Sequence, residues 1–251
     1  MEYFVGIAFL ITIAYLTYRS KRLPPVSRSD YIDRSPPIPE AYHPRRDKVV
    51  NEFKVWLSGI EMTDVIVFDT ETNGLCPESC SVLSVGAIRF SWDPVETLRE
   101  KARFERFYFP KEPFNFQATS VNGLTEETIR YLRKEGTYPE YFVDDPAFRE
   151  LCRGVKLFAG HNIEFDVGFV PFLKSERKFD TMKSNANVVC AKWNDAYGEW
   201  KWPTLEETAR FYGIPFSSSE AHGALYDALV TSAILIKMLN RAEVKINSLT
   251  T

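Results

Sequence analysis

The chain has 251 residues and a formal net charge of −3, unevenly placed. Glu2 and a basic stretch of +4 at residues 19–48 leave residues 49–251 at −6, which excludes a domain that grips nucleic acid by bulk positive charge. About 200 residues are ample for one hydrophobic core, and no internal repeat marks a second.

Tyr3 to Tyr18 contains no charged residue. A spanning helix needs about 17–25 residues, so this stretch sits at the short limit. Arg19, Lys21 and Arg22 follow it, and Glu2 is the only charge before it. The positive-inside rule then predicts a single-pass N-terminal anchor with the rest of the chain in the cytoplasm, most simply at a bacterial inner membrane. A cleaved secretory signal carries its positive charge before the apolar run and small residues at the cleavage site, and neither is present. A basic, proline-rich tether would be an odd continuation for a buried core helix. Pro24, Pro25, Pro36, Pro37, Pro39 and Pro44 stiffen that tether. The expected organisation is an anchor at 1–18, a proline-rich basic linker at 19–48 and a globular domain at 49–251. The linker's basic residues suit anionic headgroups or phosphates, and equally a plain solvated tether.

Val49, Val50, Phe53, Trp56, Leu57 and Ile60 recur at helical spacing and predict an amphipathic helix leading into the domain. Val65, Ile66, Val67 and Phe68 form a continuous apolar run, as in a strand buried on both faces. Asp69 and Glu71 follow, two apart, so their carboxylates share one face. Converging carboxylates repel unless a cation lies between them, and Mg2+ or Mn2+ prefers such oxygen ligands. Alone, the pair is as easily two strand-end surface acids. Ser81 to Phe90 and Phe104 to Pro110 read as strands of a meander beside the first. Arg99, Lys101, Arg103 and Arg106, and also Arg130, Arg133 and Lys134, read as solvated faces.

Further along, Ala159 to Asn162 carry strand-end character, and Phe165, Phe169 and Phe172 suggest a helix with Asp166 in its first turn. Trp193, Trp200 and Trp202 cluster before Leu205, where a substrate rim, a partner surface and ordinary packing are all compatible with the sequence. Tyr226, Leu229, Val230, Ala233, Ile234 and Met238 place Asp227 on a last helix. His222 lies in its lead-in and can take a proton near neutral pH. Cys76 and Cys80 have no second ligand pair, so they and Cys152 and Cys190 read as reduced thiols. Helices alternating with short strands predict an α/β fold with one mixed sheet flanked by helices.

Three segments carry a specific resemblance: Phe68-Asp-Thr-Glu-Thr-Asn-Gly-Leu75, His161-Asn-x-x-Phe165-Asp166 and His222-x-Ala224-x-x-Asp227. Together they resemble the DEDDh 3′–5′ exonucleases, the family of the proofreading subunit of bacterial replicative polymerases and of RNase T-like enzymes. Weaker echoes are Val121-Asn-Gly-Leu-Thr125, Asp180-Thr-Met182 and the stretch Leu205 to Ile214. The resemblance runs from about Asp64 to Leu239 and implies an RNase H-like fold. It implies two divalent ions, Mg2+ or Mn2+, held by Asp69, Glu71, Asp166 and Asp227, with Glu71 also catalytic and His222 as general base. The implied reaction releases nucleoside 5′-monophosphates from single-stranded 3′ ends of DNA or RNA, with a polymerase or repair partner compatible. It assigns Thr70, Asn73, Leu75, Asn122, Asn162 and Phe165 to the substrate side. Asn122 stands where many relatives carry His, and Phe165 suits base stacking or core packing equally. A non-catalytic nucleic-acid-binding module, or a membrane-tethered recruiter, is the competing reading; filled catalytic positions favour the enzyme.

Overall fold

The computed structural model describes residues 63–93, 97–133 and 136–247. The expected anchor, linker and entry helix fall on residues 1–62 and lie outside the described residues. Among the described residues, no helix is long and apolar enough to cross a membrane.

A five-stranded mixed sheet organises the fold, in the order β3-β2-β1-β4-β5. Strands β1 (Thr63–Thr72), β2 (Val82–Asp93) and β3 (Thr97–Phe107) pair antiparallel. Strands β4 (Leu157–Gly160) and β5 (Arg177–Asp180) extend the sheet in parallel on the other side of β1. Between β3 and β4 lie α1 (Phe116–Asn122), α2 (Glu126–Arg133) and α3 (Ala147–Leu151). Helix α4 (Ile163–Phe169) follows β4, and α5 (Thr181–Val189) follows β5. A small hairpin of β6 (Trp193–Asn194) and β7 (Glu199–Trp200) leads to α6 (Leu205–Phe211) and α7 (Ala224–Asn247). This is the mixed α/β sheet flanked by helices that the alternation predicted, and it is consistent with an RNase H-like fold.

The unbroken apolar run of β1 has its explanation in two cores. Val65 and Val67 face α6 and α7, packing with Ala209, Ala228, Ile234 and Leu235. Ile66 and Phe68 face the other way, against Phe148 of α3 and Val167 and Phe169 of α4. Alternate residues point to opposite faces, so a strand covered on both must be apolar throughout.

Two expectations shift. Strand β3 starts at Thr97 and stops at Phe107, earlier at both ends than the apolar residues suggest. It is an edge strand whose charged residues alternate outward, which masks its strand character. Phe172 does not continue α4; Pro171 opens a short 3-10 turn there, since proline cannot donate to the previous turn.

Gly86 sets the position of α7. It pairs with Asp69 across β1 and β2, and a Cβ there would collide with the backbone of Ala224 and Leu225. Glycine therefore lets the start of α7, which carries Asp227, lie directly on the sheet beside Asp69.

Candidate active site

The acids meet where β1 ends. Asp69 and Glu71 occupy the last turns of its pleat, on one face. Asp166 enters from the first turn of α4, buried at 3% exposure. Its Oδ1 accepts the backbone N–H of Thr70 at 2.9 Å and the Thr70 hydroxyl at 2.8 Å. Asp227 comes from the first turn of α7, the end of a helix that favours negative charge. Its Oδ2 accepts the His222 N–H at 3.3 Å, while its Oδ1 is buried with no hydrogen-bond partner. His222 adopts a left-handed backbone at φ 65° and is exposed. Glu71, His222 and Asp227 each bring a ligating atom within 4.8 Å of the others.

The electrostatics are those of a cluster short of positive charge. Burial raises Asp69 well above the usual carboxylate range, and Asp166, Glu71 and Asp227 add repulsion. Burial likewise lifts Glu71 to about 8, reinforced by Asp227 and Asp166 and opposed by a hydrogen bond from Asn122. Asp166 is pushed to about 7 by burial despite its two bonds from Thr70. Asp227 is pushed to about 6 by burial, with His222 acting the other way. Hard oxygen donors, mutual repulsion and an orphaned carboxylate oxygen together fit a divalent cation.

The structure sorts the expected substrate residues. Thr70 has both its donors, the backbone N–H and the hydroxyl, on Asp166, so it positions that carboxylate. Asn73 is 1% exposed: its amide donates to Glu112 and to the Pro113 carbonyl, and its Oδ1 accepts the Asn115 N–H. It stitches the loop after β1 to the start of α1, and its side chain is fully engaged. Asn122 donates to the Thr72 carbonyl at 3.2 Å and accepts from Leu124 N–H, which sets it beside Glu71. Gly123 follows it in the left-handed conformation and closes α1. Leu75 is 85% exposed and free for contact. Phe165 is half-buried at the margin of the core, its ring 5.2 Å from that of Phe169, so packing claims most of its surface. Asn162 is left-handed at φ 73°, and its N–H donates to Asp180 Oδ1.

His161 is not part of the reacting cluster. Its Nε2 donates to the Pro203 carbonyl at 3.0 Å, and Nδ1 lies 3.0 Å from the Thr181 hydroxyl. Burial lowers its pKa to about 4, which keeps it neutral. Asp180, faintly marked in the sequence by Asp180-Thr-Met182, accepts the N–H groups of Asn162, Met182 and Lys183 on one oxygen. It thereby ties the lead-in of α4 to the start of α5, a role visible only in three dimensions.

The family described as exonuclease matches residues 66–235. Ribonuclease T of Yersinia pseudotuberculosis is 29% identical over 194 residues, covering 70% of this chain and 84% of that protein. The PolC-type DNA polymerase III of Caldanaerobacter subterraneus subsp. tengcongensis is 27% identical over 180 residues. That match covers 72% of this chain, which spans only 12% of the polymerase. Among solved structures, E. coli exonuclease I in complex with a dT13 oligonucleotide superposes with a TM-score of 0.52 at 17% identity, over 74% of this chain and 43% of that one. This last likeness speaks to the fold alone. With the match spanning both ends of the site, from β1 into α7, the chain belongs to the exonuclease family.

Proposed function

We propose that the chain is a 3′–5′ exonuclease that removes nucleoside 5′-monophosphates from single-stranded 3′ ends. The observation that carries this reading is the meeting of Asp69, Glu71, Asp166 and Asp227 at one strand end, with His222 beside Glu71 and Asp227. These four acids would hold two divalent ions, Mg2+ or Mn2+. Ions bound there would lower the pKa of a coordinated water and offset charge on the scissile phosphate.

The chain's own groups do the rest. His222 is exposed at the cluster's edge, where its imidazole takes a proton from the attacking water as general base. Water oxygen bonds to phosphorus, the bond from phosphorus to the 3′ oxygen breaks, and that oxygen takes a proton from solvent to become the new 3′ hydroxyl. Thr70 keeps Asp166 aimed into the cluster through two hydrogen bonds. Asn122 braces Glu71 from α1, in the place where many relatives carry His. Leu75, exposed in the loop after β1, would supply an apolar surface for the terminal base. The apolar N-terminal segment would hold the enzyme at a membrane, most simply a bacterial inner membrane with the domain in the cytoplasm. Similarity to a segment of PolC-type polymerases supports a setting beside a polymerase or repair partner.

The test uses the full chain and its Asp69→Ala variant on 3′-labelled and 5′-labelled single-stranded DNA and RNA, with Mg2+, Mn2+ or EDTA. Metal-dependent release of 5′-mononucleotides from the 3′ end, lost in the variant, is the expected result, and the two polymers rank the sugar preference. A folded, metal-loaded chain that cleaves neither polymer would overturn the reading in favour of a binding module.

A further inference from the structure

The β6–β7 hairpin is tied to the site but is not used by it. His161, in the segment that leads to Asp166, donates to the carbonyl of Pro203 at the hairpin's exit. Within the hairpin Trp193 and Trp200 pair edge to face, with centroids 5.2 Å apart, and Trp200 is buried. Trp202 does the opposite: it is 52% exposed, and the Lys183 ammonium lies 5.3 Å above its ring. Lys183 in turn sits 3.8 Å from Asp180, the residue that fixes Asn162. A chain of direct contacts thus runs from Trp202 through Lys183, Asp180 and Asn162 to the helix of Asp166.

The hairpin carries two lysines and two exposed acids, Asp195 and Glu199. Lys192 and Lys201 join across the hairpin through a backbone hydrogen bond of 2.8 Å, and both are exposed. Lys201 also reaches Glu207 at 3.0 Å, an ion pair at the surface that water and phosphate can replace. An aromatic face flanked by cations suits a single nucleic-acid strand, with the bases stacking and the phosphates paired. The cation set directly on the exposed ring is Lys183.

We propose that Trp202, with Lys183, Lys192 and Lys201, forms a second subsite for single-stranded nucleic acid, holding the strand several nucleotides on the 5′ side of the scissile phosphate. The proposal rests on the exonuclease reading for the direction of the strand. It assigns a ligand to the hairpin that the carboxylate cluster does not need.

The test is binding of a labelled trinucleotide and a labelled dodecanucleotide to the full chain in detergent, with Ca2+ in place of Mg2+. Trp202→Ala should weaken the longer strand about 10-fold and leave the shorter one unchanged, because stacking of one base is worth roughly that. Trp202→Phe should restore most of the loss. Lys192→Ala should lower the slope of log affinity against log salt by about 0.7 for the longer strand. Equal losses at both lengths, or none, would overturn the subsite. Binding is read without turnover, so a chain that cleaves nothing still tests the hairpin, and a chain that cleaves normally can still refute it.

Discussion

Asp145 and Asp166 are both buried acids, at 8% and 3% exposure, and they behave in opposite ways. Burial pushes Asp145 up, but the Ala147 N–H, Arg106 and the Tyr108 hydroxyl outweigh it and hold its pKa below the usual value. Asp166 has only the Thr70 donors and a backbone N–H to set against burial and the charge of Asp180, and it is pushed to about 7. The same side chain in a similar degree of burial is a finished structural pair in one place and an unfinished one in the other. Burial therefore does not mark a site; burial without enough positive charge does.

The largest test of that contrast is Asp69→Ala. It should lower the rate by about three orders of magnitude, because on the proposed mechanism the lost ligand supplies several kcal/mol of charge stabilisation. In metal-free protein at pH 8 the same variant should melt no lower than the parent, since a buried carboxyl crowded by three other acids is gone. A clear fall in melting temperature by calorimetry would mean that the cluster is a structural pair like Asp145. His222→Asn comes next. Asparagine tolerates the left-handed backbone at this position, so the change removes the proposed base without straining the chain. The rate should fall by about 10²-fold or more while metal titration, followed calorimetrically, stays near that of the parent.

Asp145→Asn should show the converse. Chemical denaturation should read a loss of about 2 kcal/mol, the size of a charge-assisted hydrogen bond, with steady-state cleavage kinetics kept. The smallest effect is the pH profile of stability without metal. Acids whose folded pKa is raised bind more protons folded than unfolded, so their contribution is fully present below the unfolded value of about 4. It is lost as pH rises through the folded values of about 6 for Asp227, 7 for Asp166 and 8 for Glu71. Melting temperature in EDTA should therefore fall by a few degrees between pH 5 and pH 8, and saturating Mg2+ should flatten the curve. Asp145 works in the other direction, its stabilisation disappearing at acid pH as the carboxylate protonates.

Much of this site is legible in one dimension for a definite reason. Asp69 and Glu71 fall two apart behind an apolar run, and strand geometry alone sends both to one face. Asp166 and Asp227 announce themselves through helical spacing around them, which puts each on a helix, and both lie in first turns. The intramolecular partners of two candidate residues are not legible in the same way. Thr70 and Asn73 lie within the signature segment and look like substrate contacts. Their partners are 96 residues away at Asp166 and 39 to 42 residues away at Glu112, Pro113 and Asn115, and no local pattern encodes those bonds. The hairpin's alternative readings divide by residue in the same way: Trp200 packs inward and Trp202 stands out in solvent.

By itself, the sequence determined the strand with its paired acids, the two helix-borne acids, the lead-in histidine and the mixed α/β class, because these follow from periodicity and short spacing. Tertiary structure decided that the acids share one desolvated cluster. That depends on Gly86 leaving room for the start of α7 against the sheet, on Thr70 turning Asp166 inward, and on the two cores that bury β1 from both sides. Burial and repulsion are properties of the assembled cluster, and they are what turn four ordinary carboxylates into a place for a cation.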